Sequence, residues 1–398
     1  MLPHERSRNA ERGPHRVDVL LATELSHDDT PLQRLPRLGR KHGQERRPDA
    51  MPPVFLEDRV GRNVARRALQ PILEEDRLRV ERVVAFASQP LPPQVASTGG
   101  PAMNTEYFLG SEAEERAQFA AFAREIQAIQ RKAASEHDQP IQRGFHAKSH
   151  ACLNGELRLD HARDPRTRFG IFADDGPPKR VVARFSNRVG WKQGDADLDA
   201  RGLAIKVLDV PGPKYLDDEP TSQDILMTNS PVPVGRDAVE FMKFAHANVK
   251  GRTAGLCFLV GHAAFHLGAH QAVKLTTRPC DLRLVREPRR DTDDYLRADL
   301  VAAARDGVCM ALYIQLEADP VRTPNENASK IWEESDSPLV PVGRIVMPPQ
   351  VVDPGATAAC DQLAFSPWHS LPAHKPMGHI NRARRFVYAA SQQQRANR

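Results

Sequence analysis

The chain is poor in the residues that mark several common kinds of site. Cysteine occurs only five times in 398 residues, in odd number and never in C-x-x-C spacing. That pattern argues against a disulfide framework and against structural zinc. No run of 18 apolar residues and no secretory leader occurs, so neither a membrane span nor export is expected. We therefore expect a cytoplasmic protein without a membrane partner.

Nucleotide-binding and hydrolase motifs are missing as well. The chain contains no G-x-G-x-x-G and no P-loop, so nucleotide binding has no support. His146 and His150 are spaced as in zinc proteases, but Ala147 stands where those enzymes need a glutamate base. Ser186 lacks the G-x-S-x-G turn of serine hydrolases. We therefore assign His146 and Ser186 neither to a zinc-protease site nor to a serine-hydrolase site.

The first hundred residues differ in composition from the rest of the chain. They are rich in arginine and proline, contain one lysine, Lys41, and show little apolar periodicity. Such segments bury too little apolar surface to fold. Acidic residues are interspersed among the basic ones, so a nucleic-acid-binding arm is not expected. We predict that 1–102 is a disordered extension or the product of an upstream start codon, and that 103–398 forms the folded domain.

Short strands and helices alternate irregularly after Met103. A capping box, Ser111 with Glu114, and apolar residues at helical spacing predict a helix over 111–135. Further helices are predicted over 236–248 and from Asn381 onward, and the apolar stretch 254–268 reads as a core helix. Strands are predicted at 143–160, 168–172, 180–186, 202–209, 223–229, 310–317 and 339–347. This mixture predicts the α+β class.

The C-terminal run RARRFVYAASQQQR gives a tyrosine a reason to be anionic. Arg384 precedes Tyr388 by four residues, so both share one helix face, and a guanidinium there favours the phenolate. A phenolate is a suitable ligand for ferric haem iron. Arg395 follows by about two turns and falls near the same face, where it could meet a cofactor carboxylate. The competing interpretation is an amphipathic helix with a buried tyrosine and two solvated arginines.

Four segments, in this order, resemble the haem catalase superfamily: RGFHAK, ARFSN, DARGLAIK and R-x-x-x-Y-x-x-x-x-x-x-R. The resemblance runs from about Gln142 to the C-terminus, and FSPWHSLPAHKPMGHINRARRFVY is similar to small, catalase-related bacterial proteins. It implies a closed antiparallel β-barrel with flanking helices and a buried haem b. The chain ends just after Arg395, so neither an extra C-terminal domain nor a nicotinamide site is expected.

The resemblance also implies a role for individual residues. Tyr388 would ligate the iron and Arg384 would hold it as phenolate. His146 would be the distal acid–base residue, and Ser186 would bond its far nitrogen and fix its tautomer. The remaining cofactor-binding positions are those of the propionate partners and of a distal aromatic: Arg143, Arg184, Arg395 and Phe241. Arginine pairs bidentately with carboxylates, so three arginines suit two propionates.

Two departures from the family pattern bear on the substrate. Thr228 stands where large catalases have a distal asparagine, with Asn229 next to it, and Pro233 replaces a second aromatic. The sequence leaves open which of Thr228 and Asn229 serves the distal site. We expect an oxidoreductase that acts on peroxide by dismutation or as a peroxidase. An enzyme for organic or fatty-acid hydroperoxides and a non-catalytic haem-binding protein are the alternatives, and a homo-oligomer stays open.

Overall fold

The structure is a computed structural model that describes Phe108 and residues 110–197, 199–230, 235–247, 259–261, 263–281 and 292–396. The predictions for 1–102 and the Pro233 departure therefore lie outside the described residues. Within those residues, no helix is both long and apolar enough to cross a membrane.

Nine strands and five α-helices are described. The strands are β1 Ser149–Leu159, β2 Lys179–Asn187, β3 Arg201–Val207, β4 Gln223–Thr228, β5 Leu259–Val260, β6 Phe265–Leu267, β7 Gln271–Pro279, β8 Val308–Leu316 and β9 Leu339–Met347. The helices are α1 Glu112–Glu136, α2 Ala238–Ala247, α3 Tyr295–Asp306, α4 Pro354–Gln362 and α5 Gly378–Ala396.

All nine strands join one antiparallel sheet in the order β5-β4-β3-β2-β1-β9-β8-β7-β6. The sheet curls because β5 pairs with a strand near each end. Val260 lies opposite Thr228 of β4 and also opposite Thr276 of β7. The predicted α+β fold with a curled antiparallel barrel is therefore confirmed, and its closure depends on the two-residue strand β5.

Strands β2 to β4 have two faces of different character. Side chains alternate between the faces of a strand, and one set, including Phe185, Leu203 and Ile205, is buried in the main core inside the barrel. The other set, which includes Arg184 and Ser186, points away from that core. This outer face is the surface against which a ligand or a helix can lie.

Helix α5 lies next to α1, and both apolar contacts and charge hold it there. Phe119 and Phe122 of α1 pack in one cluster with Ala383 of α5. Arg382 donates from Nε to Glu115 of α1 at 2.9 Å. The capping box predicted at the start of α1 is present. These contacts use one side of α5 and leave another side for the cavity described below.

Most predicted elements are confirmed, and two are wrong. Residues 168–172 were expected as a strand, but Gly170–Phe172 forms a 3₁₀ turn. The cause is Gly170, whose φ of 55° breaks an extended chain. The stretch 254–268 was expected as a core helix, but its described residues form β5 and β6. Both strands pair with β7, whose backbone supplies the hydrogen bonds that a helix would have made internally.

The expectation that the cysteines form no disulfides is also wrong. Cys152 is joined to Cys360, and Cys280 to Cys309. The partners are 208 and 29 residues apart in sequence, and the fold brings their Cα atoms to 6.4 and 5.3 Å. An odd number only leaves one cysteine over, and spacing cannot reveal such pairs. Disulfides are typical of oxidising compartments, so the cytoplasmic location stays an untested prediction.

Candidate active site

A cavity lies between the outer face of β2 to β4 and helix α5. Its volume is about 880 Å³ when the space open to solvent is included. The segment before β1 and the residues that follow α4 complete its wall. The lining residues used below are Ile126, Arg143, Gly144, Phe145, His146, Arg184, Ser186, Gly202, Ala204, Leu226, Thr228, Phe365, Arg384, Val387, Tyr388, Ser391, Gln392 and Arg395.

Strand register builds the barrel side of this cavity from two rows of side chains. One row runs across three strands from Ser186 through Gly202 to Thr228. The other runs from Arg184 through Ala204 to Leu226. Directly opposed residues on neighbouring strands present their side chains to the same face. The motifs ARFSN and DARGLAIK therefore meet in the cavity because they are paired strands.

His146 is fixed at the edge of this wall by hydrogen bonds on its backbone N–H, its carbonyl and its ring Nδ1. Its backbone has a φ of 62°, which is uncommon for a residue other than glycine. The backbone N–H donates to the carbonyl of Arg188 at 2.6 Å, and the carbonyl accepts from Arg184 Nη2 at 2.9 Å. The ring Nδ1 lies 3.0 Å from Ser186 Oγ. A strained backbone held by several partners is typical of functional sites.

Gly202 makes room for the imidazole. A Cβ atom at this position would lie inside van der Waals distance of the His146 ring and 3.0 Å from Ser186 Oγ. Real Cβ atoms do not make such contacts with a packed ring, so one of the two side chains would have to move. Glycine in the DARGLAIK strand is therefore a steric requirement of the His146 position.

The surroundings of His146 keep its imidazole neutral. Burial lowers the pKa of His146 to about 3, and the positive charges of Arg184, Arg188 and Arg143 act in the same direction. In the tautomer whose Nδ1–H donates to Ser186 Oγ, Nε2 would carry a free lone pair. The arrangement gives the cavity a neutral base at physiological pH.

Helix α5 contributes a stripe of residues at intervals of three and four. Tyr388, Ser391, Gln392 and Arg395 all line the cavity, as does Arg384 one turn earlier. The Arg384 guanidinium carbon lies 5.9 Å from the centroid of the Tyr388 ring, and its Nη1 donates to Asn381 Oδ1 at 3.1 Å. The predicted one-turn pairing of a cation with this tyrosine is therefore present as a cation–π contact.

Three arginines converge at one end of the cavity, which we call the arginine end: Arg143, Arg184 and Arg395. All three donate to Asp361, the residue before the last residue of α4. Arg184 Nε donates to the Asp361 carboxylate Oδ1 at 2.8 Å. The backbone carbonyl of Asp361 accepts from Arg143 Nη2 at 2.8 Å and from Arg395 Nη1 at 3.1 Å. Burial, with the charges of Arg395 and Arg184, holds the pKa of Arg143 well below its usual range.

Eight of the ten predicted site residues line the cavity, and two do not. Asn229 is placed elsewhere, because its Oδ1 accepts from the backbone N–H of Arg201 at 2.7 Å. Thr228 is therefore the residue of this pair that faces the cavity. Phe241 packs edge-on against Phe145, with ring centroids 5.3 Å apart, and Phe145 is the aromatic that lines the wall.

Several lining residues were not predicted individually, although the sequence carried a signal for some. Phe145 lies inside the quoted motif RGFHAK. Ser391 and Gln392 follow Tyr388 by three and four residues and so share its helix face. Ser391 Oγ also accepts from Gly144 N–H at 3.2 Å, which ties α5 to that motif. Phe365 is the first residue of the quoted segment FSPWHSLPAHKPMGHINRARRFVY. Asp361, which bonds the lining arginines, had no local signal.

The donor set of the cavity fits an iron porphyrin with carboxylate side chains. Tyr388 offers a phenol oxygen, and apolar wall is supplied by Ile126, Leu226 and Val387. At the arginine end, the Nε and Nη1 atoms of Arg143 and the Nη1 of Arg184 make no hydrogen bond to any described residue. These N–H groups are available to an anionic ligand.

Comparison with known proteins agrees with this geometry. The Catalase family model matches residues 103–256. The catalase of Sus scrofa is 25% identical over 292 residues, which cover 59% of this chain and 52% of that protein. The peroxisomal catalase of Toxoplasma gondii is 22% identical over 301 residues, or 62% of this chain and 57% of that protein.

The family-model match, the catalase relatives and the similar solved structures together support a chain of the catalase-like superfamily. The resemblance expected from the four motifs is thereby confirmed. The chain spans about half the length of the curated relatives it matches.

Solved structures agree at the level of the fold. A fungal catalase superposes with a TM-score of 0.53 at 18% identity, over 77% of this chain and 66% of its own. Catalase A from Saccharomyces cerevisiae gives the same TM-score and identity, over 77% of this chain and 68% of its own. The curled antiparallel sheet of this catalase-like chain is therefore the catalase fold.

Proposed function

We propose that residues 103–398 form a haem-dependent oxidoreductase domain that consumes peroxide, with haem b bound between the β2 to β4 wall and α5. The observation that carries the proposal is the shared cavity. It collects a neutral histidine, a tyrosine beside a guanidinium and three arginines from three parts of the chain: the segment before β1, strand β2 and helix α5. Membership of the catalase-like superfamily supports the same conclusion.

The chain supplies a holding group for each part of the cofactor. Tyr388 would ligate the iron, with the Arg384 guanidinium carbon 5.9 Å from the centroid of its ring. Arg143, Arg184 and Arg395 would bind the two propionates through charge-assisted hydrogen bonds. Bound there, haem iron would supply the two-electron oxidation chemistry that cleaves the O–O bond of a peroxide.

His146 is suited to move the proton that this cleavage requires. Because its pKa lies at about 3, the imidazole is neutral and Nε2 can accept a proton from one peroxide oxygen. An imidazolium with so low a pKa returns that proton readily to the second oxygen, which leaves as water or alcohol. Ser186 holds Nδ1 throughout, so the ring keeps the same orientation and tautomer in both steps.

The second candidate function is conversion of an organic or fatty-acid hydroperoxide. It is favoured by Thr228, which places a hydroxyl in the cavity where large catalases have a carboxamide, while Asn229 is engaged with β3. The apolar side chains of Ile126, Leu226 and Val387 also suit a substrate with a hydrocarbon chain.

The test is turnover by the full chain expressed with a haem supply. We expect bound haem and oxygen release on addition of hydrogen peroxide. Loss of cumene hydroperoxide without oxygen release would identify the second candidate instead. His146→Ala should retain haem but lose turnover, whereas His161→Ala, which changes an exposed histidine, should behave as wild type. An unaltered rate in His146→Ala, or a wild-type protein without haem, would overturn the proposal.

The other sequence-based expectations remain predictions alongside this function. They are a cytoplasmic location, the absence of nucleic-acid and membrane partners, and a homo-oligomer. Size-exclusion chromatography with light scattering measures the last of these directly.

A further inference from the structure

Asp361 holds the arginine end together although no sequence motif includes it. Its carboxylate and its backbone carbonyl between them accept from all three arginines, at 2.8, 2.8 and 3.1 Å. The carbonyl of Leu363, two residues on, accepts from the same Arg143 Nη2 at 2.7 Å. One short segment at the C-terminal end of α4 thus bonds every guanidinium at this end.

In Arg143 and Arg184, these hydrogen bonds occupy part of the guanidinium group and leave its other N–H groups without a bond to a described residue. Arg184 donates from Nε to Asp361 and from Nη2 to the carbonyl of His146, which leaves Nη1. Arg143 donates only from Nη2, which leaves Nε and Nη1. A guanidinium is planar, so fixing one edge also fixes where the open N–H groups point. Asp361 therefore determines the geometry that an anionic ligand would meet.

The same contacts connect Asp361 to the histidine. Arg184 bridges the Asp361 carboxylate and the His146 carbonyl, the backbone group next to the strained φ of 62°. Arg184 is 2% exposed, so water cannot readily replace either partner. Loss of Asp361 would loosen both the arginine end and the support of His146.

A disulfide anchors Asp361 to the barrel. The preceding residue, Cys360, is 1% exposed and is bonded to Cys152 of β1. Cys360 also packs in a small apolar cluster with Val182 and Leu363. Helix α4 has only nine residues, and the disulfide gives its C-terminal end a covalent attachment to β1. The second disulfide, Cys280–Cys309, joins β7 to β8 and contributes no residue to the cavity lining.

We infer that Asp361 is a positioning residue for the arginine end, and that the Cys152–Cys360 disulfide holds Asp361 in that place. The inference rests on the proposed haem site for its ligand. It extends that proposal by naming what sets the affinity of the site for carboxylates.

The first experiment compares two porphyrins by absorbance titration of the full chain. The probes are iron protoporphyrin and its dimethyl ester, which lacks the two carboxylates. Asp361→Ala should weaken binding of the free acid about tenfold, or about 1.4 kcal/mol, and leave the ester within twofold. Asp361→Asn keeps an acceptor for Arg184 and should lose less. Asp336→Ala removes an Asp–Arg pair outside the cavity and should change neither affinity.

The disulfide is tested by the same titration with matched double variants. Replacing Cys152 and Cys360 by serine should weaken binding of the free acid in the manner of Asp361→Ala. Replacing Cys280 and Cys309 by serine should leave it at the wild-type value. Equal weakening of acid and ester in Asp361→Ala, or no weakening, would overturn the role of Asp361. Equal behaviour of the two cysteine pairs would overturn the role of the disulfide.

A second readout needs no cofactor. Phenylglyoxal modifies arginine, and peptide mass mapping reports the rate at each position. Arg184, which loses its carboxylate partner, should react several-fold faster in Asp361→Ala than in wild type or either control. In the Cys152/Cys360 double variant, which displaces the Asp361 backbone as well, both Arg143 and Arg184 should react several-fold faster. Unchanged rates would contradict the inference even if wild type binds no porphyrin, an outcome that by itself overturns only the proposed function.

Discussion

Two charged clusters lie close to one aromatic ring, that of Phe365. Lys206 Nζ lies 5.2 Å from the centroid of the Phe365 ring, and the Arg143 guanidinium carbon lies 5.8 Å from it. The first cluster surrounds Lys206, and the second is the arginine end with Asp361. They differ in whether the protein itself satisfies their charges.

The Lys206 cluster is closed, in the sense that the protein itself supplies a partner for each of its charges. The ammonium of Lys206 is bonded to Glu219 and lies 2.9 Å from Asp224. His369 donates from Nδ1 to Asp224 at 2.7 Å and lies 3.1 Å from Asp218 through Nε2. Burial opposes the charge on His369, but these carboxylates raise its pKa to about 10. Every ionised group in this cluster faces a partner of opposite sign.

The arginine end is open, in the sense that the protein leaves some of its N–H donors without a partner among the described residues. The Asp361 carboxylate bonds Arg184, while Arg143 and Arg395 bond only its backbone carbonyl, and several N–H groups of Arg143 and Arg184 have no partner among the described residues. The comparison shows why unusual pKa values alone do not locate a site. Glu219, Asp224 and His369 are close enough to hold a metal ion, yet the Lys206 ammonium already contacts both carboxylates. Unsatisfied donors facing a cavity are the better indicator.

The largest expected effect comes from opening the closed cluster. Lys206→Met would leave Glu219 and Asp224 buried without their cation, which destabilises a protein by about 3–5 kcal/mol. Urea denaturation should show this loss. Lys132→Met is the control, because its ion pair with Glu136 is exposed and contributes under about 1 kcal/mol. Equal midpoints for the two variants would contradict the distinction between the clusters.

A packing change on the open side should affect catalysis rather than folding. Gly202→Ala pushes the His146 ring out of place, and a misplaced catalytic group can reduce turnover about a hundredfold. Haem content should remain. Gly261→Ala is the matched control on a neighbouring segment, since its Cβ would meet nothing closer than 3.5 Å. Wild-type turnover in Gly202→Ala would show that His146 is not held as described.

Removing a cation from the arginine end should weaken ligand binding and leave stability nearly unchanged, in contrast to the removal of Lys206. Arg395→Gln relieves repulsion among three guanidinium groups, so the free energy of unfolding should change by less than about 1 kcal/mol. The affinity for haem should fall about tenfold, because a charge-assisted bond to a propionate is lost. Paired urea and haem titrations measure both quantities. A large loss of stability would mean that the arginine end is structural.

The two clusters should also give opposite, smaller pH effects through their histidines. The pKa of His369 is raised to about 10, so its contribution is complete below pH 6.5 and is lost as pH rises towards 10. The pKa of His146 is lowered to about 3, so stability falls as pH drops from 6.5 towards 3. Relative to wild type, His369→Gln should flatten the alkaline side of the urea-midpoint profile, and His146→Gln the acid side. Parallel profiles would contradict both assignments.

Most of the fold and part of the candidate site could be predicted from sequence patterns. Alternating strands and the capping box predicted elements that local physics dictates, and the motifs placed His146, Ser186 and Tyr388 in one cavity. Of the two residues left open by the sequence, Asn229 does not line the cavity, because a shift of one residue at a strand end moves a side chain to the other face of the sheet. Asp361 and the disulfides could not be predicted, because their partners come from distant parts of the chain.

The central claim is that Tyr388 is the iron ligand of this catalase-like domain, and one absorption spectrum tests it most directly. Wild type and Tyr388→Phe are each expressed with a haem supply, with Tyr313→Phe, a tyrosine outside the cavity lining, as the control. We predict a high-spin ferric tyrosinate spectrum in wild type and Tyr313→Phe, and its loss, together with peroxide turnover, in Tyr388→Phe. An unchanged spectrum in Tyr388→Phe would contradict the assignment.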